Sequence, residues 1–175
     1  MTLVTGGSKC GRSRYAEGLL EGVDGKVYLA TMQPYGEDAH RAIERHRKMR
    51  EGKGFVTAER YTDIHELDIP HCGGILLECI SNLLANEMFR EDADENAVDR
   101  IIQGIRHLET LTEHLVVVTS QVGADGMDYS PETMRYIENM GRLNSQLAEM
   151  ADDVTECVYG IAVPLKTGGK LCSSL

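Results

Sequence analysis

The sequence predicts a single α/β domain whose mostly parallel central sheet is covered by helices on both faces. Short apolar runs alternate with longer amphipathic segments, and no internal repeat or linker divides the 175 residues. The apolar runs are almost continuously hydrophobic, as strands buried on both sides of a parallel sheet are. A glycine-rich turn joins the first run to the first amphipathic segment. Ligands are therefore expected beyond the carboxyl ends of the strands.

Five short runs rich in Val, Ile or Leu, each bounded by Gly or polar residues, predict strands. They cover residues 2–5, 26–31, 73–79, 115–119 and 154–163. The longer segments between them predict helices over residues 12–21, 38–51, 81–89, 96–113 and 131–151. Ser130 and Pro131 supply an N-cap and first-turn pair for the last helix.

Charge and cysteine content exclude several classes of protein. The formal net charge of −10, from 18 basic and 28 acidic residues, argues against nucleic acid or an anionic membrane as a general partner. Five cysteines without a CxxC pair indicate reduced thiols and no zinc site. The apolar runs are too short to span a bilayer, and the opening MTLVTGG does not resemble a signal peptide. A soluble cytoplasmic protein without membrane insertion is expected.

The segment between the first strand and the first helix is the candidate phosphate site. It consists of Gly6, Gly7, Ser8, Lys9, Cys10, Gly11, Arg12 and Ser13. This is the P-loop pattern GxxxxG, followed by Arg-Ser where the pattern has Lys-Ser or Lys-Thr. Glycines let backbone N–H groups turn toward phosphate oxygens, and the helix N-terminus adds its positive dipole end. The alternative is an ordinary glycine-rich turn, but the strand before it and the helix after it favour phosphate binding.

Arg12 is the unusual residue of this loop, and Ser13 is its expected Mg²⁺ ligand. Lysine is a compact charge that reaches between the β- and γ-phosphates, whereas arginine is bulkier and planar. Arg12 is expected to bind phosphate bidentately while positioning the transferring group less well. Lys9 is the alternative cation for that role.

Two further features supply candidate catalytic groups. Glu78 ends the apolar strand GGILLEC, where a carboxylate beside a P-loop is expected to hold Mg²⁺ directly or through water. His46 and Arg50 are i and i+4 on the predicted second helix, so they share a face. An imidazole can attack an activated phosphate while a guanidinium neutralises its charge. Composition alone favours the plainer alternatives, a solvated acid and an exposed charged helix.

Taken together, these residues resemble the bifunctional adenosylcobinamide kinase / adenosylcobinamide-phosphate guanylyltransferases of cobalamin biosynthesis. The similarity extends from VTGGSKCGRSRYAE to about Lys166. Its landmarks besides the phosphate loop are Ala30-Thr31, residues 43–46 ahead of Arg50, LLECI at 76–80, Asn86, Val118-Thr119, Val122-Gly123, GRLN at 141–144 and residues 151–154.

The resemblance implies a RecA-like P-loop domain over residues 1–166, with 167–175 as a C-terminal tail. It implies phosphorylation of adenosylcobinamide, followed by transfer of GMP from GTP through a guanylyl-histidine that aligns with His46. Arg50 and Arg12 would assist catalysis, and Thr31 would lie at the nucleotide site. Mg²⁺, GTP or ATP, and a corrinoid are the implied ligands, with ATP and GTP both open as phosphoryl donors. Family members form trimers, so a homo-oligomer is expected.

The sequence departs from the family pattern at several positions, and the departures indicate altered catalysis. Arg12 replaces lysine, and Ser120-Gln121 stands where the family has Asn-Glu. Tyr136-Ile137-Glu138 replaces Phe-Arg-Asp, and Ala42, beside Arg41, replaces an arginine. The kinase step is expected to be the more impaired. The alternatives are a catalytically degenerate protein that senses GTP or a corrinoid, and an unrelated small P-loop kinase.

Overall fold

The structure, a computed structural model, describes residues 1–123 and 126–172. The strands are β1 (Thr2–Gly6), β2 (Lys26–Ala30), β3 (Phe55–Glu59), β4 (Cys72–Glu78), β5 (Thr112–Val118), β6 (Asp153–Val158), β7 (Ile161–Thr167) and β8 (Lys170–Leu171). The helices are α1 (Arg12–Leu19), α2 (Gly36–Arg50), α3 (Ile80–Phe89), α4 (Ala97–Leu111) and α5 (Pro131–Met150), with a 3₁₀ turn at Ile64–Glu66.

All eight strands form one sheet in the order β3-β2-β4-β5-β1-β6-β7-β8. The six strands from β3 to β6 are parallel to their neighbours, whereas β7 and β8 are antiparallel. The carboxyl ends of the parallel strands therefore meet at one edge of the sheet. Only β5 separates β1, which leads into the glycine-rich loop, from β4, which ends at Glu78. This arrangement confirms the predicted α/β fold and its mostly parallel sheet.

Helices cover both faces of the sheet because alternate strand residues point to opposite sides. On one face, Val4 and Leu76 pack with Ala16 of α1 and with Leu20, which follows that helix. On the other face, Leu77 and its neighbours pack against the apolar sides of α3, α4 and α5. Gly104 lets α4 approach the 3₁₀ turn closely, since a Cβ there would lie 2.2 Å from a side-chain carbon. The core thus fixes the parallel strands whose ends carry the site.

The five predicted helices are present with small shifts at their ends, but the prediction of one strand over residues 154–163 is wrong. Residues 154–163 form a hairpin instead of one strand, because Tyr159 and Gly160 take positive φ angles of 51° and 84° between β6 and β7. The edge strand β3 has no counterpart in the predicted elements.

Part of the expected C-terminal tail, residues 167–175, is ordered into a strand. Lys170 and Leu171, within the expected tail, form β8 and pair with β7. Residues 173–175 of that tail lie outside the described residues.

In the described part of the chain, no helix combines the length and apolarity needed to cross a bilayer.

Candidate active site

A cleft of about 630 Å³ opens at the carboxyl edge of the sheet, within the usual size range of ligand sites. Residues 8–14 of the glycine-rich segment form one wall, and Tyr28, His46, Arg50 and Glu78 lie around the rest of the lining. Segments that are distant in sequence therefore meet here: the loop after β1, strand β2, the C-terminal half of α2, and the end of β4. The structure brings together the predicted phosphate loop, the predicted metal ligands and the predicted histidine–arginine pair.

The backbone of the loop requires glycine at its first position. A Cβ on Gly6 would lie 2.5 Å from the carbonyl oxygen of Cys157, and the φ angle of Gly6 is +146°. Lys9 also has a positive φ angle, 57°, which turns the loop over the start of α1. The N-cap residue of α1, Gly11, offers no side-chain cap. The first N–H groups of that helix can therefore bind an anion.

The guanidinium of Arg12 binds the carbonyl oxygens of its own loop. Its Nη1 donates to the Gly6 oxygen at 2.5 Å and has a longer contact of 3.3 Å with the Gly7 oxygen. A P-loop lysine would direct its positive charge toward phosphate, whereas the charge of Arg12 is bound to backbone carbonyl oxygens. Lys9 is exposed and also lines the cleft.

Glu78 is hydrogen-bonded to both sides of the cleft. Its Oε1 accepts from the hydroxyl of Ser13, and its Oε2 accepts from the Tyr28 hydroxyl at 3.1 Å. Burial of the ring, and then the negative charge of Glu78, hold the pKa of Tyr28 well above its usual value. Tyr28 is therefore a neutral donor over the whole physiological pH range.

The two predicted metal ligands fit Mg²⁺ by their chemistry. A serine hydroxyl and a carboxylate in contact are the hard oxygen donors that Mg²⁺ takes, with water and substrate phosphates completing its coordination. Among residues 1–123 and 126–172, no group of three His, Cys, Asp or Glu side chains could hold a metal by itself.

His46 and Arg50 lie one turn apart on α2 and both line the cleft. Arg50 is only 7% exposed, and its Cζ lies 3.4 Å from the centroid of the Tyr28 ring. In the described part of the chain, neither Nη1 of Arg50 nor Nδ1 of His46 has a hydrogen-bond partner. Buried polar atoms are almost always paired in folded proteins, so these two indicate a place where a ligand supplies the missing partner.

Thr31 lies beneath the cleft and does not line it. It is fully buried, and its hydroxyl both donates to the carbonyl and accepts from the N–H of Cys79, each at 2.9 Å. Asn86 donates to the carbonyls of Thr31 and Tyr61 at 2.8 and 2.9 Å. These bonds fix the ends of β2 and β4 beside Glu78, so the Thr31 side chain supports the site from behind.

The departures from the family pattern make their own contacts. Gln121 donates to Glu156 at 2.8 Å, and the side chain of Ile137 packs against the backbone of Gly123. The Tyr136 hydroxyl, absent from phenylalanine, donates to the carbonyl of Ser81 at 3.0 Å. Arg41, beside Ala42, forms a surface ion pair with a glutamate of its own helix and does not line the cleft.

Tyr28 lines the cleft, and sequence reasoning did not identify it as a site residue. It lies within the predicted strand 26–31, where an aromatic residue in an apolar run first suggests core packing. The available signal was its hydroxyl, because a buried tyrosine needs a hydrogen-bond partner. The structure supplies that partner in Glu78 of β4, the strand beside β2.

Fold and cleft together define a P-loop α/β protein with a phosphate loop, an oxygen-donor pair and a histidine–arginine pair in one cavity. The sequence matches the family model described as cobinamide kinase / cobinamide phosphate guanyltransferase (CobU) over residues 2–165. The chain belongs to this family.

Curated relatives agree along nearly the whole chain. The bifunctional adenosylcobalamin biosynthesis protein CobU of Escherichia coli is 33% identical, and the alignment covers 95% of this chain and 99% of that protein. The CobU protein of Salmonella typhimurium is 31% identical over the same shares. The CobP protein of Pseudomonas aeruginosa is 27% identical over 94% of this chain and 96% of that protein.

Solved structures with a similar fold are more distant. A KaiC-like protein from Pyrococcus horikoshii superposes with a TM-score of 0.48 at 12% identity, over 89% of this chain and 69% of that chain. Another protein from the same organism gives a TM-score of 0.48 at 11% identity, over 99% and 91%.

Proposed function

We propose that this protein phosphorylates adenosylcobinamide and then transfers GMP from GTP to adenosylcobinamide phosphate through a guanylyl group on His46. The observation that carries this proposal is the position of His46 and Arg50 in the same cleft as the phosphate loop. The membership of the chain in the cobinamide kinase / cobinamide phosphate guanyltransferase family supports both reactions.

The phosphoryl-transfer half uses the loop and the start of α1 to bind the triphosphate of ATP or GTP. Ser13 and Glu78 would hold Mg²⁺, which would supply positive charge to neutralise the phosphates. The substrate hydroxyl attacks the γ-phosphorus, the bond to the nucleoside diphosphate breaks, and the hydroxyl proton is released. This half is the weaker one here, because Arg12 must leave the Gly6 and Gly7 carbonyls before its charge reaches the transferring group.

The guanylyl-transfer half uses His46 as the nucleophile. An unprotonated ring nitrogen attacks the α-phosphorus of GTP, the new N–P bond forms, and the bond to pyrophosphate breaks. A phosphate oxygen of adenosylcobinamide phosphate then attacks the same phosphorus and displaces the imidazole. Arg50 is buried, its Nη1 has no partner among the residues that the structure describes, and it would neutralise the phosphate in both steps.

A cytoplasmic homo-oligomer, by resemblance a trimer, is part of the proposal, with no nucleic acid as partner. The antiparallel end of the sheet supports the oligomer, because it exposes apolar side chains. Tyr159, Ile161 and Leu171 are 96%, 67% and 83% exposed. An apolar surface of this kind usually marks an interface. Sedimentation equilibrium of the purified protein tests it, and a monomer at micromolar concentration would contradict it.

The reaction itself is tested by incubating the purified protein with adenosylcobinamide, Mg²⁺ and either ATP or GTP, and separating the corrinoid products. We expect the GDP derivative with GTP, and only adenosylcobinamide phosphate from His46→Asn. His40→Asn, an exposed histidine on the same helix, is the matched control and should behave as the wild type. GTP binding by calorimetry without either product would instead support the nucleotide-sensing alternative, for which the Arg12 contacts are the structural argument.

A further inference from the structure

We propose that Tyr28 is a positioning residue that couples the metal-binding side of the cleft to the guanylyl-transfer side. The ring holds Arg50, and the hydroxyl holds Glu78. This inference rests on the proposed function, since it assigns Arg50 and Glu78 to the two halves of that reaction.

The first observation is the way in which Arg50 is held. The guanidinium lies over the face of the Tyr28 ring, with 3.4 Å between Cζ and the ring centroid. Nη1 of Arg50 has no hydrogen-bond partner among the described residues, and the side chain is nine-tenths buried. A buried cation over an aromatic face is attracted by the ring electrons. Arg50 is therefore kept in place by stacking and keeps its donors for a phosphate.

The second observation is that the same ring is tied to the phosphate loop. The Tyr28 hydroxyl donates to Oε2 of Glu78, whose other oxygen accepts from Ser13. Tyr28 is 4% exposed, and Phe55 packs edge-on against it, with 6.3 Å between ring centroids and 84° between ring planes. The ring therefore has little freedom to rotate away.

A continuous set of contacts thus runs from Ser13 through Glu78 and Tyr28 to Arg50. A bound nucleotide with Mg²⁺ would change the hydrogen bonds of Glu78, and through them the position of the Tyr28 ring and of the Arg50 guanidinium. Removing the Tyr28 hydroxyl should weaken only the positioning of Glu78. Removing the whole Tyr28 ring should also release the guanidinium of Arg50.

The test measures GTP affinity by calorimetry, with and without Mg²⁺, in a set of variants. In Tyr28→Phe, the factor by which Mg²⁺ increases GTP affinity should be about fivefold smaller than in the wild type, because one net hydrogen bond is removed. GTP affinity without Mg²⁺ should be unchanged. Tyr28→Leu should lose about tenfold in GTP affinity even without Mg²⁺, and Arg50→Ala should show a loss of the same size. The double variant Tyr28→Leu with Arg50→Ala should bind no worse than either single variant.

Tyr61→Phe is the matched control, because Tyr61 also donates to a carboxylate, Glu59, at 2.8 Å but lies outside the lining of the cleft. It should leave GTP affinity unchanged in both conditions. If Tyr28→Leu does not fold, Tyr28→Met takes its place as a ring-less side chain that fills irregular space.

The inference is overturned if Tyr28→Phe keeps the full Mg²⁺ effect, or if the losses from Tyr28→Leu and Arg50→Ala multiply in the double variant. Incorporation of label from α-labelled GTP into the same proteins separates this outcome from failure of the proposed function. Label in the wild type without coupling contradicts only the role of Tyr28, whereas coupling without label contradicts only guanylyl transfer. A wild type that does not bind GTP contradicts both.

Discussion

Arg12→Lys is the substitution that should most directly change the kinase half. In the structure the guanidinium is bound to the Gly6 and Gly7 carbonyls at 2.5 and 3.3 Å. A lysine at this position carries a compact ammonium that can reach past the loop to the β- and γ-phosphates. We therefore expect Arg12→Lys to increase phosphorylation of adenosylcobinamide.

The size of the increase follows from the contact that must break. Of the two carbonyl contacts, only the one to Gly6 is short enough for a strong bond. A hydrogen bond from a charged donor has a net value of about 1.5–3 kcal/mol, and the lower end applies because Arg12 is only partly buried. About 1.5 kcal/mol corresponds to a rate increase of about tenfold in kcat/KM.

The assay is the initial rate of adenosylcobinamide phosphate formation, at limiting corrinoid and saturating Mg²⁺ with each nucleotide. Arg106→Lys, on the exposed side of α4, is the control for the same chemical change elsewhere. Label transfer to His46 should be unchanged in Arg12→Lys. An unchanged or lower kinase rate in the folded variant would refute the reasoning, because it would show that the carbonyl contacts do not limit phosphoryl transfer.

Three further predictions concern the stability of the fold. Gly104→Ala should lower the free energy of unfolding in urea by about 2 kcal/mol, because its Cβ would clash at 2.2 Å. Gly141→Ala, with open space around it, should raise the free energy of unfolding by about 0.5 kcal/mol. Equal effects of the two substitutions would contradict the packing described for Gly104. Lys53→Ala should lower the free energy of unfolding by about 3 kcal/mol, since it removes the lysine that lies 2.5 Å from the buried carboxylate of Glu17. A decrease of less than 1 kcal/mol would contradict this prediction. Burial raises the pKa of Tyr136 to about 12, so its contribution to stability is complete below pH 10 and is lost as pH rises toward 12. The melting temperature of Tyr136→Phe should therefore fall less between pH 9 and 11 than that of the wild type, and parallel curves would contradict the shift.

Much of the fold was predictable because apolar periodicity is strong in buried elements. Strands such as β4 and helices such as α5 carry continuous or regularly spaced apolar residues, which sequence shows directly. The edge strand β3 was not predictable in the same way, since Val56 is 69% exposed and the pairing with β2 lies mainly in the backbone. The β6–β7 turn uses Tyr159-Gly160, which lacks the Asn-Gly signature of such turns.

The candidate site was predictable where function depends on spacing along the chain, and less so where it depends on contacts across it. The glycine-rich loop, and the i, i+4 relation of His46 and Arg50, are local patterns that the structure places around one cleft. Long-range packing decides which carbonyl oxygens Arg12 binds. It also decides which groups form hydrogen bonds with the Thr31 hydroxyl. Tyr28 was missed for the same reason.

Acid-labile labelling of the protein by GTP carrying ³²P at the α-phosphate tests the central claim most directly. We predict stoichiometric label in the wild type with Mg²⁺, retained in His40→Asn, lost in His46→Asn, and released as the GDP derivative when adenosylcobinamide phosphate is added. Folded wild-type protein that takes no label at saturating Mg²⁺ and GTP would contradict the account, as would label that persists in His46→Asn.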